Sequence, residues 1–372
     1  MKRLFFTYIL FFAVVLSTMA QRPKIGLVLG GGGAKGATEV GVLHEIEHAG
    51  IPIDYIAGTS IGSIVGGLYS VGYRADDLDT LFRSQDWLAL LTDRDKTLSK
   101  RIIKEEDGIT YLFGFPIRKR KNEGKKTHGL GVLHGDKVYN FLDSLVTNAP
   151  LYKQKNRTIT PIPFRCVAFD MKQQAQVLLS DDSLARNMRA SMAIPGAFKP
   201  VVSDSLVLFD GGMINNLPVD VVREMGADIV IAVDLTQTKH DDFSAPLSFL
   251  KGLGGIVKWL VERPDIVKYN ENRKQADIYI NPNLNDYGVT SFSSEAIADM
   301  IKIGRRAGQA HYSDFMQLKN KCKKEHEVGS LPFFAANSVP FLVFQRYDIL
   351  VFTLILGGEL PYFLVGKCEL FP

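Results

Sequence analysis

The chain has 372 residues, 46% hydrophobic and 23% charged, with a net charge of +4. That is the composition of a globular protein long enough for one large domain or two small ones. The charge is too mild to argue for nucleic acid, and no matching motif or basic helix is present; contact with an anionic membrane surface stays compatible with it.

The chain opens like a secretory signal. Lys2 and Arg3 supply a positive start, Leu4 to Leu16 is almost wholly apolar, and Thr18-Met19-Ala20 places small residues before Gln21. The run is short for a transmembrane span. Residues 1–20 are therefore expected to be removed on export to the periplasm, outer membrane or medium; an uncleaved anchor is the alternative. The three cysteines, Cys166, Cys322 and Cys368, make neither a disulfide scaffold nor a metal spacing, and Cys166 lies in an apolar, strand-like run.

Lys24 to Leu29 reads as a buried first strand. It runs into Gly30-Gly31-Gly32-Gly33-Ala34-Lys35-Gly36 and then a helix with Val40, Leu43, His44 and Ile46 broadly on one face. Gly31, Gly33 and Gly36 fit the spacing of a dinucleotide-binding loop, but the acidic residue that should end a second strand is missing. Lys35 is not followed by Ser or Thr, so the loop is not a P-loop. Consecutive glycines do suit acyl chemistry, because backbone N–H groups can converge on one oxygen with no side chain in the way.

The second strand, Tyr55-Ile56-Ala57, stops at Gly58-Thr59-Ser60-Ile61-Gly62, which matches G-x-S-x-G. Ile61, Ile64, Val65 and Leu68 follow at helical spacing. Ser60 is then expected on a sharp strand-to-helix turn, its hydroxyl above the sheet edge and a helix N-terminus beneath it. Residues 74 to 92 are expected to be helical. From Lys96 to Lys137, eleven Lys or Arg stand against five Asp or Glu, with glycines and aromatics interleaved. This reads as an inserted hairpin or loop, or a flap touching lipid head groups.

Phe164–Met171 and Ala175–Leu179 read as a strand pair, and Asp181 to Met192 as a helix. Val207-Leu208-Phe209 is a strand ending in Asp210-Gly211-Gly212, and Asp228–Asp234 and Ile278–Ile280 are later strands. Ser293 to Leu318 is expected to be one closing helix. Strands alternating with helices imply a three-layer α/β/α sandwich with a mainly parallel sheet.

Ser60 needs a base. None of His44, His48, His128, His134, His240, His311 and His326 follows a late strand in the way a hydrolase histidine should. Asp210, at a strand end before two glycines, is the better candidate, although an ordinary Asp-Gly turn would look the same. At this point the motifs combine. Gly31 to Gly36, Gly58 to Gly62 and Asp210-Gly211-Gly212, in that order, resemble the three signatures of the patatin-like phospholipases, as do Ala190 to Val201 and Asp210 to Pro218. The resemblance covers roughly residues 24 to 320. It implies a catalytic dyad of nucleophile Ser60 and proton acceptor Asp210 and an oxyanion hole from the Gly31–Gly33 amides. It also implies hydrolysis of lipid or phospholipid esters with no cofactor or metal. Lys35 stands where the family has a basic residue.

Residues 325–372 carry no pattern of the family. About fifty residues cannot build an outer-membrane barrel. Their apolar patches lack steady alternation, so one or two barrel strands are not well supported there; the segment reads as loosely packed or as the start of a further domain. Two rivals remain: a nucleotide-binding protein built on the glycine loop, and an inactive or membrane-binding fragment of a longer patatin and β-barrel protein.

Overall fold

β1 (Ile25–Leu29) is buried at every position, as a strand covered on both faces must be. The computed structural model describes residues 22–92, 104–106, 109–111, 131–151, 161–180, 183–203, 205–237, 265–330, 349–354 and 362–367. The export signal expected at residues 1–20 lies outside them.

On one edge β1 pairs in parallel with β2 (Tyr55–Thr59), and on the other with β11 (Ile229–Val233). β12 (Ile278–Ile280) extends the sheet beyond β11, and β6 (Phe164–Asp170) extends it beyond β2, all in parallel. β7 (Ala175–Leu179) folds back antiparallel on β6. The opposite edge of β6 is shared by two strands. β2 pairs with it from Phe164 to Val167, and the antiparallel β10 (Val207–Asp210) pairs with it from Ala168 to Asp170. β9 (Val201–Val202) pairs with β10.

Alternate strand residues enter two cores. Ile25, Leu27, Leu29, Ile56 and Ile231 pack on one side with α1 (Ala37–Ala49), α2 (Ile61–Ser70) and α9 (Ser294–Ala310). Val28, Ala57, Val230 and Ala232 pack on the other with α7 (Val219–Glu224) and α8 (Asp265–Gln275). The result is the expected three-layer α/β/α sandwich with a mainly parallel sheet.

α1 departs from the single apolar face read in the sequence. It is buried nearly all round, Thr38, Glu39 and Glu45 included, because α9 covers the side turned away from the sheet. The two backbones meet at Gly41 and Gly304, where any Cβ would collide with the facing helix. Glu39 is fully buried, and no well-formed hydrogen bond reaches its carboxylate oxygens from a described residue. Burial, aided by nearby Asp234, pushes its carboxyl well above the usual range, and the Gly30 backbone opposes this only in part. A raised pKa in the folded state means that stability is lost as pH rises. Glu39→Gln, which imitates the neutral acid, should therefore gain stability relative to the wild type as pH rises from mildly acidic to mildly alkaline. Urea midpoints measured across that range check this; curves that stay parallel would contradict it.

Several boundaries differ from expectation. Residues 74 to 92 form two helices, α3 (Ala75–Ser84) and α4 (Trp87–Leu91). Gln85 is extended between them, and Asp86 caps α4 by accepting from the Ala89 amide at 2.9 Å. The helix expected from Asp181 is α6 (Leu184–Ser191). The closing helix breaks at His311, whose amide bonds the Gly308 carbonyl in a tightened last turn, and resumes as α10 (Tyr312–Ser330). Phe315, Leu318 and Cys322 of α10 are buried, and Lys319 donates to the Ala49 carbonyl at 2.7 Å. The domain end expected near residue 320 thus falls inside a packed helix.

The basic insertion is also shorter than expected. It contains the antiparallel pair β3 (Lys104–Glu106) and β4 (Ile109–Tyr111). Its last residues belong to the main fold: β5 (Gly131–Leu133) pairs in parallel with β8 (Gly196–Phe198), and α5 (Asp136–Asn148) follows, with Leu133 and Val138 buried. In the tail, where barrel strands had little support from the sequence, β13 (Ile349–Leu354) and β14 (Tyr362–Lys367) form an antiparallel pair. β-Branched and aromatic residues fill four of six positions in β13 and three of six in β14, and that favours pairing even without inside–outside alternation.

Candidate active site

β2 delivers Ser60 to the end of the sheet, and α2 begins at the next residue. Ser60 has φ 54° and ψ −120°, a conformation that a non-glycine residue adopts only when its surroundings enforce it. Gly58 and Gly62 make the turn possible. A Cβ on Gly58 would collide with the Gly62 backbone, and one on Gly62 with the Leu29 carbonyl of β1. The backbone is pinned from several directions. The Ser60 amide donates to Ser191 Oγ at 2.9 Å, and Ser191 in turn donates to the Val167 carbonyl at 2.6 Å. Ser63 Oγ donates to the Ser60 carbonyl at 2.5 Å, and Thr59 Oγ1 to the Asn215 carbonyl at 2.8 Å.

Asp210 arrives from the opposite direction. Thr59 of β2 faces Val167 of β6, and Asp210 of the antiparallel β10 faces Ala168, the next residue along the same edge. The two strands therefore meet end to end. Ser60 Oγ donates to Asp210 Oδ2 at 2.7 Å, and Asp210 Oδ1 accepts from the Gly212 amide at 2.7 Å. Gly211 must be glycine because a Cβ would collide with the Val167 carbonyl. Ser60 and Asp210 retain 8% and 7% of their exposure, so the pair is sheltered yet reachable. Burial pushes the Asp210 carboxyl from 3.8 up to about 6, although its bonds from Ser60 and Gly212 pull it down. A carboxylate near pKa 6 can take a proton at neutral pH and give it back.

The glycine loop lies against this pair. A Cβ on Gly31 would sit 3.3 Å from Ser60 Cβ. Gly33 has φ +58°, and Gly33–Gly36 forms a 3₁₀ turn into α1, with Ala34, Lys35 and Gly36 buried. Gly36 packs directly on Ile61, so the starts of α1 and α2 converge. One amide of the expected trio is otherwise engaged: Gly31 N–H donates to the Asn216 carbonyl at 3.2 Å. Among the described residues, the Gly32 and Gly33 amides have no acceptor.

The histidines described in full lie elsewhere. His44 sits by Asp76, Asp79 and Arg305, His48 lies tilted against Tyr312, His134 meets Lys199, and His311 bonds Asp314. His128 and His240 lie outside the described residues, and of His326 only the backbone is described. Among the described residues no group of three or more His, Cys, Asp or Glu is placed to hold a metal.

Three residues without a role in the sequence reading prove central: Ser191, Asn215 and Asn216. All lie in stretches noted for their resemblance, but only the folded chain brings them to the turn. Ser191→Ala would strand the buried Ser60 amide, a loss of about 1–3 kcal/mol. A urea midpoint lowered accordingly is the expected result, and an unchanged midpoint would show that Ser191 is not the anchor.

A family model described as "Patatin-like phospholipase" matches residues 27–223. Patatin-like phospholipase domain-containing protein 7 of Mus musculus is 32% identical over 231 residues, 62% of this chain and 15% of that protein. Lysophospholipase NTE1 of Kluyveromyces lactis is 31% identical over 246 residues, 66% of this chain and 14% of that protein. The chain thus matches only about a seventh of the length of these relatives. The solved structure of VipD from Legionella pneumophila is similar with a TM-score of 0.44 at 16% identity, covering 80% of this chain and 68% of that one. That score is too low to add to the topology above.

Proposed function

Because the chain belongs to the patatin-like phospholipase family, we propose that it is a lipid acyl hydrolase in which Ser60 and Asp210 act as a dyad. The observation that carries this reading is the 2.7 Å hydrogen bond from Ser60 Oγ to a buried carboxylate whose pKa is raised to about 6. Ser60 attacks the ester carbonyl while Asp210 takes the hydroxyl proton. The Gly32 and Gly33 amides hold the oxyanion, helped by the positive end of α2. Asp210 returns the proton to the departing alcohol, leaving an acyl ester on Ser60. Water then attacks that ester, again losing its proton to Asp210, which passes it to Ser60 Oγ as the fatty acid departs.

Phospholipids are the substrates favoured by the relatives' names. Ile194 supports an approach from a lipid surface. It is 40% exposed and follows Ala193, whose carbonyl accepts from the Asp210 amide. Export through residues 1–20 belongs to the same reading, and N-terminal sequencing of the mature protein tests it. The activity itself is tested by incubating the purified protein with phosphatidylcholine, lysophosphatidylcholine and p-nitrophenyl butyrate, and by fluorophosphonate labelling. Ester hydrolysis and a single label on Ser60 are expected. A folded protein that cleaves none of these esters and takes no label would sink the reading.

A further inference from the structure

Resting on that reading of the site, we propose that Asn216 is a positioning residue that aims the Gly32 amide at the reacting oxygen. Asn216 holds Gly31 at two points. Its main-chain carbonyl accepts from the Gly31 amide at 3.2 Å, and its side-chain Nδ2 donates to the Gly31 carbonyl at 3.1 Å. Nδ2 also donates to Thr236 Oγ1 at 3.3 Å. A carbonyl can only accept, so the Gly31 oxygen dictates which end of the Asn216 amide faces it.

The consequence passes through one peptide plane. The Gly31 carbonyl and the Gly32 N–H belong to the same rigid trans unit and point in opposite directions. Holding the carbonyl therefore sets where the Gly32 N–H points. That N–H is the first amide of the loop without an acceptor among the described residues. Asn216 also lies close to the chemistry: a Cβ on Gly212 would stand 2.8 Å from Asn216 Oδ1 and 3.1 Å from Asp210 Oδ1. The preceding residue, Asn215, accepts from Thr59 beside the nucleophile. One dipeptide thus ties the glycine loop and the serine turn to the segment that carries the base. A donor aimed before the reaction begins needs no reorganisation in the transition state.

Asn216→Ala should lower kcat by ~10–100-fold with KM within about twofold, because only the transition state carries the oxyanion. A trifluoromethyl ketone lipid, which forms a tetrahedral adduct on serine, should lose affinity in proportion to kcat/KM, while a non-reacting ether lipid should bind as before. The rise of kcat/KM near pH 6 should stay where it is in Asn216→Ala. In Asn216→Asp, which keeps the shape but loses the donor and adds a charge, activity should fall further and the rise should move to higher pH. A folded Asn216→Ala enzyme with kcat within about twofold of the wild type overturns the proposal. So does a loss carried by KM, or an equal weakening of ketone and ether. Should Asn216→Ala fail to fold, Asn216→Asp decides, and wild-type turnover there overturns it. A wild-type protein inactive on every ester would remove the functional reading itself; an active wild type with an indifferent Asn216 variant removes only this inference.

Discussion

Ser60→Ala should lower ester turnover by about 10⁴–10⁶-fold and leave the fold intact. The loss is expected to be large because, among the described residues, the neighbouring hydroxyl on the same turn is already engaged. Ser60 Oγ bonds Asp210 Oδ2, and Ser63 Oγ is occupied with the Ser60 carbonyl. The turn itself should persist. Its unusual backbone is held by the Ser191 bond to the Ser60 amide and by close packing at Gly58 and Gly62, none of which uses the Ser60 hydroxyl. Circular dichroism, residual turnover and fluorophosphonate labelling together test this. A well-folded Ser60→Ala protein that still turned over phospholipid at the wild-type rate would show that Ser60 is not the nucleophile.

Asp210→Asn should cost nearly as much, about 10⁴-fold, and the double variant little more, because in the proposed dyad the two groups work as a unit. An asparagine keeps the shape and can still accept from the Gly212 amide, but it cannot take the Ser60 proton. In the wild type, kcat/KM should climb as pH rises through about 6, where Asp210 loses its proton. Stability should move the other way. Below 3.8 the carboxyl is neutral in folded and unfolded chains alike. Between there and about 6 the unfolded chain releases its proton first, so stability falls as pH rises, and above about 6 the loss is complete. That interval corresponds to about 3 kcal/mol. Asp210→Asn should therefore be more stable than the wild type at pH 7, with the advantage fading towards pH 4. Rate profiles and urea titrations over pH 4 to 8 check both halves. Retained turnover at pH 7, or a stability difference that ignores pH, would remove Asp210 from this role.

Much was legible in the chain because it depends on neighbours in sequence. The apolar run Ile25–Leu29 had to be a strand buried on both faces, and Gly58 and Gly62 around Ser60 marked a turn where two backbones nearly touch. The Asp-Gly-Gly stretch marked another close approach, now seen as Gly211 against Val167. The less legible features depend on what lies opposite in space. Glu39 falls in a helix whose outer side looked free, and only the packing of α9 buries it. Gly31 looked like one more free amide of the loop, but Asn216, distant in sequence, occupies it. The break at His311 and the pairing of β13 with β14 were hidden for a similar reason: helical periodicity runs through the first, and the second lacks alternation.

The sequence by itself determined the α/β class, the order of the motifs and the residue types at each, because turns, strand runs and helix starts are written in local sterics and hydrophobic spacing. Only the tertiary structure decided that Ser60 and Asp210 meet. Their meeting rests on register: β2 ends opposite Val167 and the antiparallel β10 ends opposite Ala168, on one edge of β6. A slip of a single residue would turn the Asp210 side chain to the other face of the sheet. Register is set by many distant contacts at once, and no local stretch of the chain encodes it.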